Sequence, residues 1–445
     1  MHVLKNLRLH SASFGFSGVN GLEKPADIKT PIESSDGSKR IENASKTFAA
    51  LRHRDFQLYF GGQLISNAGT WMQVIAQGWL VYQLTHSDLA LGIVGFAAAV
   101  PALIVSPWGG VVVDLVPKRT LLIITQASAM LLAFILAVLS FTNVVQEWHI
   151  ILLAGGIGLV NAFDGPGRQA FLVEMVGRDD LSNAIALNSL MGNGARVIGP
   201  ALGGILLAVV GAAWCFTING ISFLAVIIGL WAMQVKPHQP LHLMESPWKQ
   251  LISGIQYVSK QMDLGGLLLL ASIFSIFGIS YATVLPAFAE QVLHQGAAAY
   301  GWINTAIGAG AVAGAFMITN QHGRSWRGLW LVIAGIAFPI VLGAFAFMPI
   351  YSVSLILAFG LGVGFMVQFT MINTLLQTRV DDQLRGRVMA LYTLTFFGFA
   401  PLGNLAIGAL AQSIGLSDSI LIFAVLSLAL TLIVLRKIPL IKDLP

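Results

Sequence analysis

Long apolar stretches separated by short polar connections fill the chain after residue 55. Each has the length, roughly 20 residues, that a helix needs to cross about 30 Å of hydrocarbon. The stretches lack the alternation of polar and apolar residues that marks the shorter strands of a membrane barrel. Because a helix satisfies its own backbone hydrogen bonds in lipid, the pattern predicts an all-α membrane protein with twelve transmembrane helices.

The predicted helices fall into two sets of six, separated by the longest internal connection. They cover residues 56–84, 89–115, 121–141, 150–171, 183–210, 214–235, 265–288, 301–319, 329–347, 351–377, 388–414 and 419–435. Residues 1–46 contain no sustained apolar run and predict a flexible cytoplasmic tail. The other predicted divisions are a six-helix bundle at 47–235, a cytoplasmic central loop with a possible amphipathic helix at 236–263, a second six-helix bundle at 264–437 and a cytoplasmic C-terminus at 438–445.

A short pattern recurs at the entrance to the fifth helix of each set. Asp179-Asp180-Leu181 followed by Pro200 returns as Asp381-Asp382-Gln383-Leu384 followed by Pro401. Recurrence at the same place in both sets is typical of a duplicated transporter. The pattern therefore predicts two pseudo-symmetric halves.

Composition and charge add an orientation to this picture. Hydrophobic residues make up 56% of the 445 positions and charged residues only 10%. Of the 25 Lys and Arg residues, all but Arg196 fall in the tails or in the loops on one side of the predicted helices. By the positive-inside rule, this predicts a multi-pass protein of the cytoplasmic (inner) membrane with both termini in the cytoplasm.

Several function classes are disfavoured by the same sequence. The basic residues are scattered rather than clustered, so no nucleic-acid partner is expected. No lysine follows a glycine, which argues against a phosphate-binding loop and an ATPase in this chain. No extramembrane segment is long enough for a catalytic domain and the nine His residues lack metal-ligand spacing, so we expect no enzyme activity, cofactor or metal.

Three motifs resemble those of one superfamily. They are Gly110-Val-Val-Val-Asp114-Leu-Val-Pro-Lys118-Arg119 after helix 2, Gly199-Pro200-Ala-Leu-Gly203-Gly204 in helix 5, and Leu51-Arg52-His53-Arg54-Asp55-Phe56 with Gly62-Gln63-Leu64-Ile65-Ser66-Asn67 at helix 1. On these motifs the chain from about residue 50 to 435 resembles the major facilitator superfamily. It is most similar to the drug and siderophore exporter branch, which includes enterobactin exporter-like and macrolide efflux-like proteins.

The resemblance implies roles for the motif residues. In the superfamily the first motif latches the gate, which implies gating roles for Gly110, Asp114, Lys118 and Arg119. Leu115 and Pro117 depart from it, since a basic residue and a glycine are usual there. The second motif implies an antiporter-type function for Gly199, Pro200, Gly203 and Gly204, although Ala186 and Ala195 replace usual glycines upstream.

Arg196 lies about 13 residues into predicted helix 5, near the middle of the bilayer at about 1.5 Å per residue. A central arginine costs at least about 2.5 kcal/mol on insertion scales, so it should face protein or water. One hypothesis is that Arg196 lines the central cavity and attracts anionic or oxygen-rich substrates. The other is a structural arginine bound to backbone carbonyls or to an amide of a neighbouring helix.

Other polar residues join Arg196 as candidates for a substrate cavity. Asn193 shares the polar face of predicted helix 5 with Arg196, and the others lie in helices 1, 4 and 10, which together with helix 7 line the cavity in the superfamily. The candidates are Asn193, Gln63, Asn67, Gln73, Gln77, Asn161 and Gln368. The alternative is that these side chains form hydrogen bonds between helices, each worth about 0.6 kcal/mol.

Asp164 is the first candidate for a proton-carrying carboxylate and Asp88 the second. We expect both near helix ends, with no acid at the middle of the membrane. Asp164 and Arg168 have the favourable acid-first spacing of four residues. The alternative for this pair is a role in the gate, in contact with Asp114 and Lys118.

Together these features predict a monomeric secondary transporter that exports a small organic molecule by alternating access, with H⁺ as the antiported ion. A first alternative is a carrier of lysophospholipids or other lipid-like molecules. A second is a non-transporting membrane sensor or scaffold built on the same fold.

Overall fold

Apolar helices account for nearly all of the structure, a computed structural model that describes residues 49–234, 247–319, 326–381 and 384–444. The predicted tail at 1–46 and part of the predicted central loop lie outside these residues. The first six long helices are α1 (Arg54–Thr85), α2 (Asp88–Leu115), α3 (Lys118–Phe141), α4 (Glu147–Val176), α5 (Leu181–Val210) and α6 (Ala212–Ala232). They run alternately up and down, as their short connections require.

The second set repeats this arrangement after a short helix, α7 (Pro247–Val258), within the predicted central loop. The spans that follow are α8 and α9 (Met262–Ile273 and Leu285–Gln291), α10 (Ala297–Thr319), α11 (Arg327–Ala346), α12 (Tyr351–Arg379), α13 (Arg385–Ile414) and α14 (Leu416–Lys437). Two short 3₁₀ helices, Ala49–Arg52 and Pro439–Asp443, flank the bundle.

Eleven spans in the described chain are long and apolar enough to cross a membrane. The twelfth is α1, which has 32 residues but carries a row of amide and hydroxyl side chains that lowers its hydropathy. It packs against α5 and α6 inside the bundle. The twelve-helix fold predicted from the sequence is therefore confirmed.

The seventh span is broken, although the sequence predicts one continuous helix there. Between α8 and α9 the chain forms a π-helical turn at Phe274–Gly278 and a 3₁₀ turn at Ser280–Val284. Ser280 donates to the carbonyl of Ile276 at 2.8 Å, and Ser275 donates to the carbonyl of Phe396 on α13. These hydroxyls bond the backbone at the irregular turn, which makes the break tolerable in lipid.

Equivalent glycines connect the last two helices of each half. Gly211 joins α5 to α6 with φ +85°, and Gly415 joins α13 to α14 with φ +98°. Only glycine adopts these conformations without strain, so each permits a one-residue turn. Their matching positions agree with the duplication indicated by the sequence repeat.

The two halves meet along two seams, α2 against α13 and α5 against α10. We call the end of the bundle where α1 begins and α14 ends the basic face, and the other end the opposite face. Glycine contacts across both seams lie toward the opposite face. A Cβ on Gly204 would be 2.7 Å from the Cα of Gly301, and one on Gly92 would be 2.7 Å from the carbonyl oxygen of Asn404.

Candidate functional site

A polar cavity of about 110 Å³ lies inside the first half, between α1, α3, α4 and α6. Its walls include five of the amide residues proposed from the sequence, namely Gln63, Asn67, Gln73, Gln77 and Asn161. Asp164 and Arg168 of α4 also line it. The sequence candidates from helices 1 and 4 therefore share one cavity, and their contact with a substrate stays a prediction.

Asp164 is the acidic centre of this cavity. One carboxylate oxygen accepts hydrogen bonds from the Thr125 hydroxyl and the Gln126 amide, each at 2.8 Å, and the other lies 2.8 Å from Nε of Arg168. The side chain is 4% exposed, so water does not provide its main partners. Three protein donors therefore satisfy the carboxylate.

Helix α4 is longer than the sequence predicts. The predicted span ends at residue 171, whereas α4 continues to Val176. Asp164 therefore lies 12 residues before the end of the helix, about 18 Å at 1.5 Å per residue. Its place relative to the bilayer, expected near the cytoplasmic end of helix 4, stays a prediction.

Arg168 extends the network from α4 to α1. Besides its pair with Asp164, it donates to Gln63 Oε1 at 3.2 Å and Asn67 Oδ1 at 3.4 Å. These contacts place Arg168 in the polar cavity. Lys118, which the gate alternative placed in contact with this pair, binds Glu174 in the last turn of α4, with nitrogen and oxygen 2.7 Å apart.

The other proposed gating residues lie at the ends of α2 and α3. Gly110 and Asp114 are in the last turns of α2, and Lys118 and Arg119 begin α3. Arg119 donates to the carbonyl of Trp231 at the end of α6, at 2.8 Å. The motif therefore connects α3 to α4 and α6 at the basic face, while its action as a gate stays a prediction.

A second amide contact completes the cavity wall. Asn219 of α6 donates to Gln73 Oε1 of α1 at 2.6 Å, and the Ser222 hydroxyl donates to Asn219 Oδ1 at 3.0 Å. Gly69 lies against this pair, where a Cβ would approach Asn219 Oδ1 to 2.6 Å. Gln73 thus forms the interhelical hydrogen bond considered as its alternative, while it still lines the cavity.

Arg196 occupies a different place, on the seam between the halves. It is half-buried at the middle of α5, and its guanidinium carbon lies 4.9 Å from the Trp71 ring centroid on α1 and 5.4 Å from the Phe365 ring centroid on α12. Within the described chain no carboxylate pairs with it and its side chain makes no hydrogen bond. The bond to a carbonyl or amide required by the structural hypothesis is absent from these residues.

The remaining candidates lie elsewhere. Asn193 is one turn before Arg196 on α5, and Gln368 is one turn after Phe365 on α12. Gln368 is 2% exposed, and its Oε1 has no hydrogen-bond partner in the described chain. None of Arg196, Asn193 and Gln368 lines the polar cavity of the first half.

The glycines of the antiporter-type motif let α5 approach its neighbours. A Cβ on Gly199 would be 2.4 Å from Cβ of Trp71, and one on Gly203 would be 3.1 Å from the Cα of Met72. Gly204 faces Gly301 of α10 instead. The motif thus packs α5 against α1 and against the second half, as small residues do at membrane helix contacts.

Polar contacts join the halves at the opposite face. Gln83 donates to Glu290 at 2.8 Å, and Gln291 donates to the Tyr82 hydroxyl at 2.7 Å. Asp88, the second proton-coupling candidate, begins α2 at this face, and its backbone N–H donates to Gln412 Oε1 at 3.2 Å. These bonds connect α1 and α2 to α9 and α13, so the halves are in direct contact here.

Several of these residues were missed from the sequence. Trp71 and Phe365 lie within apolar stretches and were not singled out, while Thr125, Gln126 and Asn219 are isolated polar residues in apolar helices. The cost of burying an unpaired polar group was a usable signal for the last three. The signal was weaker for the rings, because apolar spans carry aromatic residues throughout.

Comparison with known proteins agrees with this architecture. The family model for transmembrane secretion effectors matches residues 45–443. The staphyloferrin A transporter of Staphylococcus aureus is 26% identical over 84% of this chain and 94% of its own length. The multidrug efflux pump Tap of Mycolicibacterium fortuitum is 24% identical over 83% and 91%, and the enterobactin exporter EntS of Citrobacter koseri is 25% identical over 77% and 81%.

Solved structures show the same fold at lower identity. A bacterial homologue of the human lysosomal transporter Spinster, in an inward-facing unoccupied conformation, has a TM-score of 0.65 at 13% identity and covers 90% of this chain and 99% of its own. The nucleoside transporter NupG has a TM-score of 0.67 at 13% identity, with 86% and 98% covered. The chain belongs to the transmembrane secretion effector family of the major facilitator superfamily, and it is a membrane transporter rather than an enzyme.

Proposed function

We propose that this protein exports a small organic molecule, drug-like or siderophore-like, across the cytoplasmic membrane by alternating access coupled to proton antiport. The relatives support the substrate range, since their names describe a siderophore transporter, a siderophore exporter and a multidrug efflux pump. The observation that carries the coupling is the ion pair between buried Asp164 and half-buried Arg168 in the polar cavity.

Alternating access is supported by where the halves touch. Hydrogen bonds and glycine contacts join them at the opposite face. Toward the basic face, a Cβ on Gly192, which shares the Arg196 face of α5, would meet nothing within 4 Å. The charge distribution predicts that the basic face lies in the cytoplasm. A conformation that is joined at the opposite face and open toward the basic face then receives its substrate from the cytoplasm.

Coupling follows from the chemistry of the pair. An ionised Asp164 balances Arg168 and holds it beside α4. Once Asp164 takes up a proton, the half-buried charge of Arg168 loses its counter-ion. Rearrangement of α1 against α4 compensates for this loss, because Arg168 already contacts Gln63 and Asn67.

The proposed export is tested by finding the cargo and then moving it. Compounds that are depleted from the spent medium of a deletion strain, relative to its parent, are offered to inverted membrane vesicles with an imposed pH gradient. We expect at least one of them to accumulate in vesicles that contain the protein and not in vesicles without it. If none is depleted and none accumulates, the export proposal is wrong.

A further inference from the structure

Arg196 differs from the other interior cation of the first half. Arg168 is neutralised by Asp164, whereas Arg196 has no carboxylate partner in the part of the chain that the structure describes. Its guanidinium lies over the rings of Trp71 and Phe365. A positive charge near the middle of the bundle is therefore left without an anion.

The rings stabilise this cation without completing its coordination. A desolvated cation–π contact is worth about 2 kcal/mol, comparable to the cost of at least about 2.5 kcal/mol for a central arginine. Ring faces accept no conventional hydrogen bond, so the five N–H donors of the guanidinium stay available. The acceptor that binds a guanidinium best is a carboxylate or another anionic oxygen, through paired hydrogen bonds.

Close helix contacts fix this arrangement. Gly199 lies directly against Trp71, and Gly308 of α10 lies against the backbone carbonyl of Arg196, where a Cβ would be 2.7 Å away. A side chain at either position would displace a helix that holds the site. The space next to Gly192 leaves an approach along the same face of α5.

The two halves present different chemistry beside Arg196. On the first-half side, Thr70 and Val74, neighbours of Trp71 on α1, line the polar cavity. On the second-half side, Phe365 belongs to a ring cluster that includes Phe369, stacked at a centroid distance of 6.0 Å, and Phe274, also at 6.0 Å. A ligand that contacts both sides needs a charged or polar group and an apolar body.

We propose that Arg196, Trp71 and Phe365 form a subsite for an organic anion with an aromatic or apolar body, its anionic oxygen bound by the Arg196 guanidinium and its rings packed on Phe365. This assigns a substrate class to the transporter and rests on the export function proposed above. Polar groups of the same ligand extend toward the amides of α1.

The test uses two dyes that share a xanthene ring system and differ in charge. Carboxyfluorescein is an anion and rhodamine 123 is a cation. Their binding to the full-length protein in nanodiscs is measured by fluorescence anisotropy. We expect the wild type to bind carboxyfluorescein at least about tenfold more tightly than rhodamine 123, because the free energy of one charge-assisted hydrogen bond corresponds to about that difference in affinity.

Variants show which residues cause the preference for the anionic dye. We expect Arg196→Gln to lose this tenfold preference, whereas Arg196→Lys retains part of it because the charge remains. Phe365→Leu should lower the affinity for both dyes, because both would pack their xanthene rings on Phe365. The matched control is Arg178→Gln, which removes one exposed positive charge between α4 and α5 and should change neither affinity.

Other outcomes overturn the substrate class. They are an unchanged preference in Arg196→Gln, equal binding of both dyes by the wild type, or binding of neither. Dye transport in proteoliposomes separates this failure from a failure of export. A wild type that moves rhodamine 123 but not carboxyfluorescein contradicts the anion subsite and leaves export standing.

Discussion

The carboxylate of Asp164 and the guanidinium of Arg168 lie 2.8 Å apart, one turn from each other on α4 and deep within the first half. Thr125 and Gln126 on α3 hold the acid, while Gln63 and Asn67 on α1 contact the base. Three helices are thus linked through a single ion pair. A change in the protonation of Asp164 alters the forces between all of them.

The donors on α3 should hold Asp164 in place beside Arg168. Thr125→Val or Gln126→Leu removes one hydrogen bond to the carboxylate and leaves a buried acceptor partly unsatisfied, which costs about 1–3 kcal/mol. We expect gradient-driven transport to fall in either variant. The control is Thr217→Val on α6, whose hydroxyl donates to Ala213 of its own helix; an equal loss of transport in this variant would contradict the role of the α3 donors.

Closure at the opposite face should depend on Gly301. A Cβ there would lie 2.4 Å from the Cα of Gly204 and 2.9 Å from the carbonyl oxygen of Pro200, both backbone atoms that cannot rotate away. We expect Gly301→Leu to hold the halves apart at this face and to reduce transport at least tenfold.

Thiol labelling measures that opening. A reporter cysteine replaces Gln77 in the cavity, with buried Cys215 changed to Ala. A membrane-impermeant maleimide added at the opposite face should label the reporter several-fold faster in Gly301→Leu. Gly194→Leu is the control, because a Cβ at Gly194 meets nothing within 4 Å. If labelling is as slow in Gly301→Leu as in this control, the prediction is wrong.

The bond between Gln83 and Glu290 marks a contact that must open during transport. These side chains bridge α1 and α9 at 2.8 Å. We expect a short thiol crosslinker between Gln83→Cys and Glu290→Cys to block transport and a cleavable version to restore it on reduction. Each single cysteine variant serves as the control, and continued transport by the crosslinked pair would show that this face does not separate.

The pair of Lys118 and Glu174 joins α3 to α4 at the basic face, with nitrogen and oxygen 2.7 Å apart. Lys118 is nearly buried, so Lys118→Glu places two carboxylates together and should lower both transport and the thermal midpoint. We expect the double swap, with Glu174→Lys, to recover a large part of both. Two single defects that simply add in the double variant would exclude a direct functional pairing.

Much of the fold followed from the apolar pattern, because membrane helices must be long, apolar and internally hydrogen-bonded. The break in the seventh span was missed, since the residues from Phe274 to Val284 are as apolar as those of a regular helix. There the Ser275 hydroxyl bonds the carbonyl of Phe396 on α13, and the Ser280 hydroxyl bonds the carbonyl of Ile276 in the same span. Hydropathy does not record such contacts.

The candidate site was predicted in part. The stripe of amides on α1 was visible because its spacing places Gln63, Asn67 and Gln73 near one face, and the structure brings them to one cavity. The partners of Arg196 were not visible, because Trp71 and Phe365 lie far away in sequence and belong to different halves. Only the packing of the two halves brings these residues together.

Proton-coupled export depends most directly on Asp164, and one measurement isolates it. Proteoliposomes are given the cargo identified from spent medium, and accumulation driven by a pH gradient is compared with exchange in the absence of a gradient. For Asp164→Asn we predict normal exchange with no gradient-driven accumulation, whereas Glu147→Gln, at the other end of α4, should behave as the wild type. Gradient-driven accumulation at the wild-type level in Asp164→Asn would contradict the coupling mechanism.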